Sequence, residues 1–381
     1  MTTRRSLLKA GAGFILVSGA GISAYSLTRS PAKAIEPWRR AGQSFGDSRL
    51  DALSYAILAP NPHNMQPWRV ELEGTNALTI YADLARLLPE TDPPNRQITI
   101  GFGCFLELLR QAAADKGLAC NVTPFPEGEP HPVLDERPIA HVKFMPNAAE
   151  ADPLFSTTLE RRTNRATFTS RAIEPEKMGE ILAASIPGVD AAGAISGDMI
   201  DTLRALASEA WKIEWDLKRT RDESIRVTRI GKAEINDAPW GLALSNVMMN
   251  ALHDASVLTR EKMDKPGDSA FSQSREFYLR LCESAAGFVW TTTAENTRRD
   301  QLAAGAAWVR MNQTATQAGL AFHPLSQALQ EFPEMAAPYA RIHALLARNS
   351  GATVQMLARI GYAKTPPPSP REPLEAKLIP V

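Results

Sequence analysis

Ala59-Pro60-Asn61-Pro62-His63-Asn64-Met65-Gln66-Pro67-Trp68 lies between two regular patterns. Before it, Leu50, Leu53, Ile57 and Leu58 recur at the spacing of one apolar helix face. Pro60, Pro62 and Pro67 cannot continue that helix, which therefore stops at about Ala59. After it, Trp68, Val70 and Leu72 alternate with Arg69, Glu71 and Glu73, the period-two pattern of a half-buried strand. A proline-rich loop held at both ends can present Asn64 and Gln66, each with a donor and an acceptor, to a planar ligand whose edge alternates the two. A proline turn capping a core tryptophan is the other reading these residues allow.

The order helix, A-P-x-x-x-N-x-Q-P-W, strand is similar to the signature of the nitroreductase family of FMN-binding oxidoreductases. That family normally works as a homodimer with its flavins in the interface. One subunit supplies an R-R-S-x-R string and a C-terminal arginine for the phosphate, and its partner supplies the N-x-Q-P-W loop. Here the parts are divided between the halves of one chain. The first half carries the loop with no R-R-S-x-R ahead of it. The second carries Arg161-Arg162-Thr163-Asn164-Arg165, and Ser185-Ile186-Pro187-Gly188-Val189-Asp190 stands where a loop should follow its next helix. The resemblance narrows to the Acg-like branch, whose members resemble fused pseudo-dimers. It implies an α+β, nitroreductase-like fold: a tandem of two units, each an antiparallel sheet with helices, in a monomer acting as a pseudo-dimer with one complete FMN site.

The site residues it implies are Pro60, Asn61, Pro62, Asn64 and Gln66 from the loop, with Arg161, Arg162, Thr163 and Arg165 from the string. It adds Arg371 as the C-terminal phosphate arginine and Leu325 and Ser326 as the turn near flavin N5. An FMN phosphate carries nearly two negative charges, so planar, permanently charged, bidentate donors suit it. Phe168 falls one residue later than in the usual pattern.

Of 381 residues, 44% are hydrophobic and 22% charged, which suits a packed globular chain of about two domains. Lys plus Arg and Asp plus Glu both number 42, which leaves no net field for nucleic acid. Residues 1–34 resemble a twin-arginine export signal. Thr3-Arg4-Arg5-Ser6-Leu7-Leu8-Lys9 precedes an uncharged, glycine-rich run from Ala10 to Tyr25, and Ala32-Lys33-Ala34 offers a cleavage site. The expectation is delivery to the periplasm by the twin-arginine translocase, with an uncleaved N-terminal anchor as the other reading. Cys104, Cys120 and Cys282 lack C-x-x-C spacing and suit buried small positions, although Cys104 and Cys120 could pair. No histidine pair has metal-ligand spacing.

Along the chain, Ile35 to Phe45 reads as a linker, followed by a first unit over residues 47–146 with strands Trp68 to Glu73 and Ala77 to Tyr81. Its helix, Ile98 to Lys116, contains Gly101 and Gly103, which would let it pack closely on a neighbour. A second unit runs over 152–381. It opens with a helix Leu154 to Arg161, has a lid-like excursion of short helices at about 219–265, and ends in a C-terminal arm. Trp240, Met248 and Met249 in the excursion are expected to cover the ring.

The flavin carries the redox chemistry, so no side-chain catalyst is required. The leading expectation is ping-pong electron transfer to a quinone, nitroaromatic or similar planar acceptor. The second is a flavin-binding or flavin-storing protein whose lid excludes substrates. NAD(P)H is a cytoplasmic metabolite, so an exported protein would need another donor.

Overall fold

The computed structural model describes residues 30–146 and 149–380; of the export signal expected at residues 1–34, residues 1–29 lie outside them. In the first half, α1 (Glu36–Arg40) and α2 (Ser48–Ala56) lead through the proline loop into the hairpin β1 (Trp68–Glu73) and β2 (Ala77–Ala82). Asp47 caps α2, its side chain accepting the Arg49 N–H. The long α3 (Arg96–Ala114) then leads to β3 (Leu118–Pro124) and β4 (Ala140–Pro146). The segment read as a linker thus contains a helix, whose own Trp38 is buried.

In the second half, α4 (Pro175–Ala183) is followed by β5 (Asp190–Ala194), and β8 (Gly287–Thr293), α11 (Arg298–Gln317), β9 (Ala321–Pro324), α12 (Ala336–Leu346) and β10 (Thr353–Gly361) complete the unit. Between β5 and β8 come α5 (Asp198–Asp216), α6 (Lys218–Arg226), β6 (Thr228–Ile230), α7 (Gly231–Asp237), β7 (Leu242–Leu244), α8 (Val247–Asp254), α9 (Arg260–Asp264) and α10 (Ser269–Glu283). The short elements at 219–265 therefore sit inside a longer inserted segment, which has its own core of Trp211, Trp215, Ile225, Met263 and Leu279. The expected helix at Leu154 is only a 3-10 turn, Pro153–Thr157, before an irregular run.

The fold is α+β with two four-stranded antiparallel sheets, ordered β1-β2-β4-β3 and β5-β8-β10-β9. Each runs edge strand, second, fourth, third in order of appearance. Between the sheets α3 and α11 lie side by side. A Cβ added at Gly103 would stand 2.1 Å from the Leu302 carbonyl oxygen, and one at Gly305 would stand 2.0 Å from that of Ile100. One turn and more further on, Gln111 Nε2 donates to Gln313 Oε1 at 3.0 Å and Gln313 Nε2 to Gln111 Oε1 at 2.8 Å, across a separation of 202 residues. Gly103 and Gly305 have the same separation. Contacts that are returned in kind are what a two-fold relation between two units produces. The main core, with Leu53, Trp68, Phe105, Trp308, Phe322 and Ile360, runs unbroken through both halves. Among the described residues no helix is long and apolar enough to cross a membrane.

Candidate functional site

The loop after α2 carries three non-glycine residues with left-handed backbone: His63 at φ 47°, Asn64 at 55° and Gln66 at 50°. L-residues visit this region rarely, and such conformations persist where the surroundings over-determine them. Here they do. Asn61 Oδ1 accepts the Gln66 N–H at 2.8 Å, and Asn61 Nδ2 donates to the Ala59 carbonyl at 3.1 Å. Pro62 and Asn61 rest on α3 at Gly101, where an added Cβ would meet Asn61 Cβ at 3.1 Å and Pro62 Cδ at 3.4 Å. Pro60 is half-buried beside them.

The Asn64 and Gln66 amides have partners within the chain. Asn64 Nδ2 donates to the carbonyls of Gly241 (3.2 Å) and Pro370 (3.1 Å), and its Oδ1 accepts from Arg371 Nη1. Gln66 is fully buried; its Nε2 donates to the Pro239 carbonyl at 2.9 Å and its Oε1 accepts the Glu372 N–H at 2.9 Å. The loop is thus latched from above by the inserted segment and from the side by the C-terminal arm. Trp240 is clamped between the Arg86 and Arg229 guanidiniums, 3.9 and 4.2 Å from its ring centre, and Met248 is 62% exposed.

At the root of the loop three guanidiniums from distant parts of the chain converge. Arg161 Nη2 donates to the Leu58 carbonyl at 3.0 Å, and Arg371 Nη2 donates to the carbonyls of Leu58 (3.0 Å) and Ala59 (3.1 Å). Arg162 lies over the Trp38 ring at 4.6 Å, with Arg371 5.6 Å from the same ring centre. Arg161 and Arg371 are 2% and 3% exposed. None of the three has a carboxylate partner among the described residues, and the Nε of each is buried without a hydrogen bond. Burial, with the neighbouring charges of Arg161 and Arg162, lowers the Arg371 pKa to about 9; burial brings Arg161 to about 10. Cations crowded together with unsatisfied donors and no counter-ion suit an anion. Arg371 also lines a small cavity of about 80 Å³ with Lys33 and Arg40.

Arg165 departs from its neighbours in the string. It makes no hydrogen bond or ion pair among the described residues and keeps exposed surface, yet burial lowers its pKa. Its charge acts on His63, Tyr278, His323 and Arg359. Burial and then Arg165 hold the His63 pKa down at about 4, so His63 is neutral beside Ser224 Oγ at 3.0 Å. Thr163 is half-buried with no hydrogen bond among the described residues. Leu325 is buried and its N–H donates to the Leu357 carbonyl at 2.9 Å, so it has no proton to offer a ligand. The half-buried Ser326 N–H takes no partner among the described residues.

Several residues of this region had no sequence signal of their own. Trp38, whose Nε1 donates to the Ser369 carbonyl at 2.8 Å, stood in a presumed linker, and Lys377, donating to the Gln66 carbonyl at 2.8 Å, in a presumed loose arm. Ala34, the expected cleavage position, is fully buried; its N–H donates to Asn236 Oδ1 at 3.0 Å and its carbonyl accepts the Arg371 N–H at 2.8 Å. All three cysteines are free, and Cys104 donates to the Gly305 carbonyl at the helix contact.

No protein-family profile matches the chain. Among curated proteins it is similar to a protein named putative NAD(P)H nitroreductase acg of Mycobacterium tuberculosis, 26% identical over 341 residues, 85% of this chain and 93% of the other. An uncharacterised protein of the same organism is 28% identical over 343 residues, 86% of this chain and 92% of the other. Among solved structures, a putative nitroreductase from Anabaena variabilis is 12% identical with a TM-score of 0.45, covering 86% of this chain and 91% of that one.

Proposed function

We propose that this chain is an FMN-binding oxidoreductase resembling the nitroreductases, with one flavin site assembled between its halves. The observation that carries this reading is the convergence of Arg161 and Arg371 on the Leu58 and Ala59 carbonyls, with Arg162 beside them over the Trp38 ring and no carboxylate partner for any of the three among the described residues. Two buried guanidiniums and a half-buried third, mutually repelling and with unsatisfied Nε atoms, are costly unless an anion joins them, and a phosphate monoester accepts from several such forks at once. The donor set fits the phosphate end of FMN, and curated relatives are named as NAD(P)H nitroreductases. Bound there, FMN would supply a ring that takes up a hydride and passes electrons to a small planar acceptor.

The chain's own part is to anchor and enclose. Arg161, Arg162 and Arg371 would hold the phosphate, and Trp38 and the arm would close water out behind them. Arg165, whose charge acts on His63 of the loop, would stabilise charge appearing on a reduced ring. His63, held neutral, adds no competing cation there. The reciprocal contacts at Gly103, Gly305, Gln111 and Gln313 support reading the chain as a fused pseudo-dimer.

Titration of flavin-stripped protein with FMN, followed by visible absorption, tests the reading. Tight uptake in the parent and its loss in Arg161→Gln are expected; a parent that takes up no FMN would overturn it. The engagement of Asn64 and Gln66 by Gly241, Pro239, Pro370 and Glu372 favours the second reading, a flavin-binding or flavin-storing protein with little reductase activity. NADPH or dithionite reduction of loaded protein separates the two: flavin bleached only by dithionite fits storage. Export by the twin-arginine route belongs to the proposal as well. Because Ala34 is packed and bonded on both sides, removal of a leader would occur upstream of it, which N-terminal sequencing of protein from the periplasm checks. Normal delivery of a variant with both Arg4 and Arg5 changed to Lys would sink the export reading.

A further inference from the structure

Gly103 and Gly305, like Gln111 and Gln313, stand 202 residues apart, and the same step carries Gly101 to Ala303. Gly101 is covered by Asn61 and Pro62 of the proline loop. In the second half the turn 185–189 takes the place of that loop, and Ala303 lines a groove of about 290 Å³ to which none of 185–189 contributes. The groove is thus a loop seat on a half that lacks the loop. It runs between α3, α11 and the edge strand β3, along Leu106, Val122, Pro124, Leu302, Ala303 and Ala306. Aliphatic walls with a few polar groups at their margin are the make-up of small-molecule sites. No aromatic ring is among the lining residues, so a planar ligand would find nothing to stack on, whereas a saturated chain would find contact on every side.

The two ends of the groove differ in charge. At one end Arg299 Nη2 donates to the Pro124 carbonyl at 3.0 Å and its Nε to Glu129 Oε1 at 3.0 Å, which orients the guanidinium; Nη1 has no partner among the described residues. α3 returns through Gly117 into β3, so Arg110 and Glu107 lie towards the other end. There Arg110 Nη2 is committed to two acids, Glu107 Oε1 at 2.7 Å and Asp152 Oδ2 at 2.6 Å. An anionic group is therefore favoured at the Arg299 end and opposed at the Arg110 end. From Cys120 to Pro124, β3 measures about 13 Å, close to the length of an extended eight-carbon chain.

We propose that this groove binds a medium-chain carboxylate, its head at Arg299 and its hydrocarbon tail between α3, α11 and β3. None of Arg161, Arg162 and Arg371 lines it, so the site is separate from the proposed flavin site and does not depend on that reading.

The test is calorimetric titration of the full chain with hexanoate, octanoate and 1-octanol. Each methylene buried should tighten binding roughly fourfold, so octanoate should exceed hexanoate by about 15-fold. The uncharged alcohol, with the same tail, should bind about fivefold more weakly than octanoate, and Arg299→Gln should remove that difference. Ala306→Leu fills the groove from a half-buried position; it should weaken octanoate about tenfold or more and leave thermal unfolding unchanged. Cys120 locates the ligand, because it shares a face of β3 with Val122 and is half-buried where the other two free cysteines are buried. Octanoate should slow its reaction with an aromatic disulfide reagent. Affinity indifferent to chain length, octanoate binding retained in Ala306→Leu, unslowed labelling of Cys120, or displacement of octanoate by FMN would each overturn the proposal.

Discussion

The two halves build the same sheet and differ in what they hang on it. In the first half a three-residue turn, 74–76, joins the edge strand β1 to β2; in the second, residues 195–286 separate β5 from β8. In the first half the connection from helix to edge strand is the strained, polar loop 59–67. In the second it is Ser185 to Val189, a plain turn with Gly188 at φ 85° and Ser185 Oγ donating to the Val189 carbonyl at 2.8 Å. Each half also has an arginine pair ahead of that helix. Arg39 donates to the Ala32 carbonyl on the surface and Arg40 pairs with Glu375, whereas Arg161 is buried and Arg162 half-buried with no acid partner among the described residues. One scaffold used twice thus carries its polar loop on one copy and its unpaired arginines on the other, and the candidate site exists only where the two meet.

The comparison breaks most sharply at the shared helix contact. Gly103→Leu places a side chain where a backbone carbonyl already lies 2.1 Å from the Cβ, and backbone cannot swing aside. We expect a loss of more than about 4 kcal/mol, at the upper end for single substitutions, or no folded protein, by urea unfolding. Gly179→Ala, in α4 with open space around its Cβ, should instead gain about 0.5–1 kcal/mol. Equal effects at the two glycines would mean that the halves are not held through this crossing.

The arginine pairs give the next test. Arg371→Gln removes one fork of the buried cluster and should lower FMN affinity about 100-fold, by titration; Arg40→Gln, outward-facing and already paired, should stay within about twofold. Comparable losses in both would shift the phosphate to the outer face.

Much of this organisation was legible in the chain because it rests on local rules. The alternation from Trp68 to Glu73 marks β1 residue for residue, and Gly101 and Gly103 announced a close packing that the structure realises. β5 was not legible: Asp-Ala-Ala-Gly-Ala has no β-branched residue, and it is a strand because β8 pairs with it and because Gly193 leaves room for Met178 Sδ and the Phe288 carbonyl. α10 and α12 carried no recognised period either, and they pack on cores built by other segments. The string at 161–165 reads as one motif, yet its members part company: Arg161 turns to the loop root, Arg162 to the Trp38 ring, and Arg165 is exposed. The long-range partners of Asn64 and Gln66 lie 173 to 307 residues away, and no local pattern announces them. Spacing shows which residues could meet a ligand, whereas only tertiary contacts show which are already engaged.

A smaller effect distinguishes the insertion from the sheets by pH. Glu214 on α5 is buried, and burial raises its pKa to about 7 although Gln330 Nε2 donates to it at 2.8 Å. A carboxyl whose folded pKa lies above its unfolded value binds more protons in the native state, so its contribution to stability is lost as pH rises from about 4.5 towards 7. Glu214→Gln should flatten that slope, raising stability at pH 8 by about 2 kcal/mol relative to pH 5. An unchanged slope, by unfolding at both pH values, would place the titration elsewhere.

The smallest expected effect concerns the latch that only the first half's loop has. The Gly241 N–H donates to the Asn64 carbonyl at 3.0 Å, and the residue before it, Trp240, is held between Arg86 of the first half and Arg229 of the insertion. Each cation over the ring is worth about 0.5–1 kcal/mol at a partly exposed position. Trp240→Ala removes both contacts and touches none of the loop's hydrogen bonds directly. If the ring is what keeps the 239–241 backbone seated on Asn64 and Gln66, local opening becomes easier by about 1 kcal/mol. Exchange of the Gly241 and Gln66 amides should then quicken roughly fivefold, while amides in β8 and β10 keep their protection. Unchanged exchange at Gly241 would mean that the backbone bonds and the C-terminal arm hold the loop without the clamp. The closed loop would then be a property of the junction between the two halves itself.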